Sequence, residues 1–485
     1  MPSPIRSFLN LLFVASAIGV LMWRENSWQS KWRAEKAGKE APVAAGVVTP
    51  ASDAASAGLL GANAQIQKNL IAAEGRASAL AAEVQSLKEK LEAAKPVPVP
   101  DDLAKQYKEQ RGLAFEPAPS WTPVPMDSIL EKIRGKVEAA LPPDAAAARS
   151  RAALAMGFHS EPFDYRDALV SLAQMTSGGF FDEKEGKFFY REEASLARAD
   201  GRETFIGALA GALTQRQAGP GAGNLYDPVN DDMALAARSL ISGDANASRV
   251  RFSISDQLNL NFDRSGAPAA PPPNYSAPAY LAEIWKFSQD KGSLFVEALS
   301  GQGGNPAVDE AYRRMPKSSA EILHPETLYL AKPPFEPTVV DIQGTTFFGA
   351  MAPYFTNVAG ELGTYVALRS WLNGDEAAQA SEGWAGDRYV VWPGKEGIGD
   401  HLYWKTVWAS DKDAKEFFDL MRRVIMQRFS IPWQQAYDAV PNQFRVDDPH
   451  RIVRLELKPN QKTVTLANST ETDFAAALEK AMGNW

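Results

Sequence analysis

The sequence has no cysteine in 485 residues and only four histidines, His159, His324, His401 and His450. The first absence excludes a disulfide framework, a thiolate zinc site and a Cys nucleophile. The scarcity of histidine means that a His-rich metal site would need distant segments to converge, because no two of the four stand at the i, i+4 spacing with which one helix presents paired ligands. An excess of positive charge is missing too: 51 Lys and Arg against 59 Asp and Glu give a net charge of −8. A protein that grips phosphates carries the opposite balance, so nucleic acid is not expected as a partner. What is present is apolar residue, 45% of the chain against 23% charged, enough to bury at least one full core.

Residues 8–23 read FLNLLFVASAIGVLMW between Arg6 and Arg24. With Ile5 and the two snorkelling arginines the run reaches the roughly 17–25 residues that span a bilayer as a helix. Its one small-x-small triplet, Ala15-Ser16-Ala17, lies inside the run, and cleavage there would strand 18–23 on the mature end. An uncleaved single-pass anchor over 1–25 is therefore expected, in preference to a removed signal peptide. Arg24, Lys31, Arg33, Lys36 and Lys39 outnumber Arg6 plus the amino terminus, a bias toward keeping the downstream chain in the cytoplasm. Long domains override that bias, and the succession of tether, stalk and hinge suits a domain held away from a membrane, so the globular part is expected outside the cytoplasm.

Residues 26–62, rich in Ala, Gly, Val and Ser, read as a flexible low-complexity tether. Over 63–95, Ile66, Leu70, Ala73, Ala77, Leu80, Val84, Leu87 and Leu91 recur at alternating steps of 4 and 3, the seam of a coiled coil. A homo-oligomer through this segment is expected; the alternative is a single amphipathic helix, since Gly75 and two Ala weaken the seam. A Pro-rich hinge is expected at 96–104, where each Pro lacks an amide donor. Residues 105–485 alternate helical periods with short strand-like runs, which predicts an α+β domain. Helices are expected at 128–141, 202–217 and 231–242, a hairpin at 180–190 with Gly186 at its turn, and a Pro-rich loop at 267–278.

Several segments, in order, resemble a family of predicted zinc-dependent metallopeptidases of the gluzincin type. Arg111-Gly-Leu-Ala-Phe115 is similar to its RGLxF element, and Ser177-Gly-Gly-Phe-Phe-Asp182 with Lys187-Phe-Phe-Tyr190 to its GFYDP and LYV hairpin. Ser318-Ser-Ala-Glu-Ile-Leu-His-Pro-Glu326 resembles STEQILHPE, Gly360-Glu-Leu-Gly363 resembles GELG, and Gly383-Trp-Ala-Gly-Asp-Arg-Tyr389 resembles GWGGDRY. Asp413-Ala-Lys-Glu-Phe417 resembles its DAxEF helix. The resemblance implies a zincin-like fold over 105–485.

It also implies that the catalytic positions are degenerate. An active member carries HExxH, whose two His bind zinc while the Glu activates water. Aligning Gln215-Arg-Gln217 with the family's QDQ puts Ala208 and Ala212 at the His positions and Leu209 at the Glu. Ser242-Gly-Asp-Ala245 stands where the family has EGDA, so Ser242 replaces the third ligand. None of these four side chains restores the set, so no metal, no cofactor and no peptidase chemistry is expected here. Candidates for relocated chemistry are Glu203, Asp244, His324, Glu361, Asp387, Arg388 and His401. Each also has a structural reading: an Asp244–Arg388 ion pair, a turn cap at His324, and Glu203 in solvent near a helix start. The expectation is a membrane-tethered pseudopeptidase acting as a binding or assembly module. An extended peptide or protein partner would pair beside Phe188, Phe189, Tyr190, Arg191 and Glu192. The rivals are a hydrolase with a relocated site, and a purely structural envelope protein with Ala208, Leu209 and Ala212 covered by neighbours.

Overall fold

The computed structural model describes residues 99–224, 230–259, 277–342, 352–394, 399–434, 437, 440–448 and 451–476, with isolated positions between 75 and 86. The chain divides into the units Met1–Val84 and Gln85–Trp485. In the first, residues 75, 78, 79 and 81–84 are helical, and Val84, a seam position, is 46% exposed. The anchor, the tether and the other seam positions lie outside the described residues. Among the described residues no helix is long and apolar enough to cross a membrane. The other helices and all the strands belong to the second unit, whose architecture is α+β.

Helix α1 (Pro100–Arg111) takes over the last part of the expected hinge. Pro at the first helical turn forfeits no intrahelical bond, and Asp101 and Asp102 suit the helix dipole there. Gly112, at φ 87°, ends the helix by donating its N–H to the Lys108 carbonyl. A three-stranded sheet follows, of β1 (Ser120–Val124), β2 (Gly179–Asp182) and β3 (Lys187–Arg191), in the order β1-β3-β2. The β2–β3 hairpin is the expected one, with Gly186 at φ 63°; β1 joins β3 in parallel.

Helices α2 (Met126–Ala140), α3 (Pro143–Met156), α4 (Tyr165–Thr176), α5 (Ala199–Ala218), α6 (Asp231–Asn259) and α7 (Ala279–Gly303) build the helical part. Where α6 crosses α7, Gly243 meets Gly292 so closely that a Cβ on Gly243 would lie 2.1 Å from the Gly292 carbonyl carbon. Only glycine permits that backbone approach. Short helices α8 (Asn305–Arg313) and α9 (Ser319–Leu323) and a π-helical turn at Pro325–Tyr329 lead away from it.

The remaining elements are β4 (Phe355–Asn357), α10 (Gly360–Arg369), α11 (Gly374–Ser381), β5 (Trp384–Trp392), β6 (His401–Trp408), α12 (Asp411–Arg428), β7 (Gln443–Asp448), β8 (Arg451–Lys458) and β9 (Thr463–Ser469). The strands form one antiparallel sheet in the order β4-β5-β6-β9-β8-β7. Alternation sorts its side chains: Tyr389, Val391, Trp404, Leu455 and Leu466 face one core, while Val390, Trp392, Tyr403 and Ala467 face the other side. A register irregularity between Trp384 and Gly386 brings Trp384 onto the first face as well. Helix α12 packs there through Phe417, Phe418, Met421, Val424 and Ile425, a 3-and-4 spacing that lines one helical stripe.

Candidate functional site

Ala208, Leu209 and Ala212, the positions that the resemblance would align with a zinc motif, pack beside the small sheet. Leu209 on α5 is 1% exposed and packs with Phe188, Phe205 and Phe252; Ala208 and Ala212 are half-buried against the same cluster. A Cβ at Gly179 would stand 3.1 Å from that of Ala208, so β2 passes directly over it. Ser242 is half-buried on α6. Phe188, Phe189, Tyr190, Arg191 and Glu192, beside which a partner strand was expected, offer no free strand edge over 187–191. β3 is the central strand, with β2 on one side and β1 on the other. Trp121 of β1 holds that side closed, its ring 5.5 Å from both Phe188 and Phe205. Phe188 and Phe189 are buried, and Glu192 alone of the five is exposed.

The expected ion pair has a different partner. Asp244 is held by Arg111, not Arg388: Arg111 Nε donates to its two oxygens at 2.9 and 3.1 Å, and Nη2 to Oδ2 at 2.8 Å. Arg111 is 1% exposed and Asp244 0%. Tyr312 adds its hydroxyl at 3.0 Å, and Asp309 receives Nη2 at 2.8 Å. Burial works against the guanidinium's charge, and the bonds to Asp244 and Asp309 more than offset it, so its pKa is raised. Glu203 is not free in solvent either, because Arg249 pairs with it and Ser253 donates to it at 3.0 Å.

A second frame surrounds the start of α10. Asp387 accepts from the amides of Ala359 (3.0 Å) and Gly360 (2.9 Å) and the indoles of Trp384 (3.0 Å) and Trp404 (2.9 Å). Those bonds meet the acceptor demand of a carboxylate that is 2% exposed. Arg388 is half-buried on β5. His324 closes α9 with its backbone, and its Nε2 lies 2.8 Å from Glu361 Oε1. That bond raises the imidazole pKa, while burial raises that of Glu361. His401 is elsewhere, fully buried on β6, stacked 3.9 Å from Phe474 with Nδ1 at 3.0 Å from Ser469 Oγ. Among the described residues, no group of three or more His, Asp or Glu could hold a metal ion.

Beside this second frame lies a cavity of about 70 Å³. Its polar wall is Arg149 (α3), Tyr165 (α4), Asp231 and Asp232 (α6), Tyr280 (α7) and Tyr389 (β5), and its apolar wall includes Phe158, Leu235, Leu281 and Phe355. Arg149 is 5% exposed and reaches Asp231 at 2.7 Å. Its guanidinium carbon is 5.8 Å from the Tyr165 ring and 5.4 Å from that of Phe355. Asp231 is positioned from the sheet, since its amide donates to Asn357 Oδ1 at 2.7 Å. Asp232 accepts from the Ser319 amide at 3.1 and 3.2 Å. Burial pushes its carboxyl well up, and the nearby Asp387 and Glu361 push the same way. Burial also raises the three phenols, Tyr165 to about 12, so they stay protonated and can act as donors.

Residues 351–479 match a domain of unknown function, DUF8575. No curated protein and no solved structure matches the chain. The matched segment takes in the whole six-stranded sheet with α10, α11 and α12. It contributes Phe355, Val358, Ala359, Gly363 and Tyr389 to the cavity, while Arg149, Tyr165, Asp231, Asp232 and Tyr280 come from the helices before it. The cavity is thus closed only when DUF8575 meets the preceding helices. These polar residues escape sequence reasoning. Arg149 is one cation in the Ala-rich α3, and Asp231-Asp232 reads as an ordinary acidic helix start. The signal that could have found the site was a buried-face arginine amid alanines, at a helix position where Ala146, Ala152 and Ala153 are buried.

Proposed function

We propose that the chain is a non-catalytic binding module on a peptidase-like framework, tethered to a membrane through 1–25 and self-associating through 63–95. The observation that carries the non-catalytic part is the packing of α5. Leu209 is 1% exposed in an aromatic core, and it and its neighbours Ala208 and Ala212 have no lone pair for zinc and accept no proton. The acids closest in sequence, Glu203 and Asp244, are committed to Arg249 and Arg111. Binding belongs at the cavity of Arg149, Asp231 and Asp232, because concave, mostly apolar walls with a few convergent polar groups suit a small ligand. Its volume is far below what an extended peptide needs.

Metal analysis and peptidase assays on the full chain, purified in detergent and dialysed, test the non-catalytic reading. No stoichiometric zinc and no cleavage are expected; one tightly held zinc per chain refutes it. The framework is tested by the triple variant Ala208→His, Ala212→His and Ser242→Glu, which leaves buried Leu209 in place and is expected to gain zinc. A folded triple variant that binds none refutes the placement of those positions.

A further inference from the structure

We propose that the cavity binds a small protonated amine, with Asp232 as its counter-charge and the rings of Tyr165, Tyr280 and Tyr389 among its walls. The inference rests on reading the cavity as the binding site and adds the class of ligand. Asp232 is 2% exposed and, among the described residues, makes no ion pair; both its oxygens accept from the Ser319 amide. A carboxylate offers about four acceptor sites, which leaves acceptor capacity on a cavity wall. The cavity's own cation does not use it, because Arg149 pairs with Asp231 at 2.7 Å. Among the described residues, Asp232 thus lines the cavity without a cation of its own.

The walls favour the same ligand. Aromatic faces attract cations within about 6 Å, and Arg149 already exploits two of them, Tyr165 and Phe355. Burial, Asp387 and Glu361 hold the Asp232 carboxyl toward its neutral form; a cation in the cavity opposes all three. An anion would meet the carboxylates unfavourably, and a neutral molecule would gain no charge pairing with Asp232. Size sets the upper limit: at roughly 10–15 Å³ per water-sized occupant, about 70 Å³ holds a ligand of about five non-hydrogen atoms. Approach is from the side of Asp231, which is 30% exposed, and half-buried Phe158, Ile284 and Phe355, whereas Tyr280, Leu281 and Tyr389 are buried.

Calorimetry on the full chain in detergent, with ethylammonium, ethanol and acetate at matched ionic strength, tests this. Saturable binding of ethylammonium alone is expected, weakened roughly 10- to 100-fold by Asp232→Asn, the loss that follows from removing a charged hydrogen-bond partner. Because Asp232 also holds Ser319, a second variant, Ala153→Leu, fills the cavity from α3 and is expected to abolish binding. Ethanol or acetate binding as well as ethylammonium overturns the amine assignment while leaving the cavity a binding site. Ethylammonium binding that survives Ala153→Leu places the amine elsewhere and overturns the proposal. No binding of any of the three overturns both readings.

Discussion

Substituting Asp244→Ala isolates the buried pair that joins α1 to α6. The change leaves the Arg111 guanidinium, 1% exposed, without three of its bonds, and leaves the Tyr312 hydroxyl without its acceptor. Breaking a buried pair on one side costs about 3–5 kcal/mol. Asp309 stays 2.8 Å from Arg111 and, though 36% exposed and so partly screened, still gives it a partner, so the lower half of that range is expected. A domain is stable by only about 5–15 kcal/mol, and the loss is therefore easily read in urea unfolding followed by tryptophan fluorescence. The triple variant Arg111→Met, Asp244→Leu and Tyr312→Phe removes the charges and the hydroxyl together. It is expected within about 2 kcal/mol of the parent, because a buried ion pair replaced by apolar groups of similar volume roughly breaks even. A loss under about 1 kcal/mol for Asp244→Ala, or a triple variant less stable than the single one, refutes the reasoning.

Gly360 is at φ +74°, and a Cβ there would lie 1.8 Å from Asp232 Oδ1; Gly360→Ala is expected to cost at least about 2 kcal/mol by thermal unfolding. Asp232, Glu361 and Asp387 are raised above their ordinary values by burial, and His324 by its bond to Glu361. The folded state thus holds these protons more tightly than the unfolded chain, a stabilisation present at acid pH and lost as pH rises from above the ordinary carboxylate range through neutrality. Urea unfolding between pH 5 and 8 (about the range set by these groups) is expected to show stability falling with pH, and Glu361→Gln to flatten that slope. Chains truncated to start at Ser56 are expected to associate as two or three copies by mass measurement, and chains starting at Val99 to be monomeric. Deleting 1–25 is expected to move the protein from the membrane fraction to the soluble one.

Three helices, Met126–Ala140, Ala199–Ala218 and the first part of Asp231–Asn259, were legible from apolar residues at helical spacing, and the β2–β3 hairpin because two aromatic runs flank an acidic turn ending in Gly186. β1 was not, since Ser-Trp-Thr-Pro-Val carries a proline that breaks a strand pattern; the pairing shows why it is tolerated, as β1 is an edge strand. That single omission made β3, a central strand, look like an edge open to a partner strand. Partnerships were equally hidden. Asp244 and Arg111 are 133 positions apart, and nothing in their types distinguishes Arg111 from Arg388 as the partner. The cavity draws one to three residues from each of several elements far apart in the chain, a convergence with no periodicity to read.

The segments that carry the peptidase resemblance hold one another. Arg111 of the first motif grips Asp244 of the degenerate EGDA segment. His324 of the ILHPE-like motif bonds Glu361 of the GELG-like one, and Asp387 of the GWAGDRY segment caps the helix that Gly360 begins. Ser319, from the same stretch as His324, ties Asp232 to Leu362 by taking the Leu362 amide on its hydroxyl at 3.0 Å. Each of these contacts orients a helix terminus or neutralises a buried charge, and none of them requires zinc. Ala208, Leu209 and Ala212 on α5 pack in the aromatic cluster beneath the small sheet and bring no polar side-chain group that would need a burial partner there. The polar groups that are costly to bury lie instead around Asp232, buried beside the cavity that Arg149 and Asp231 also line.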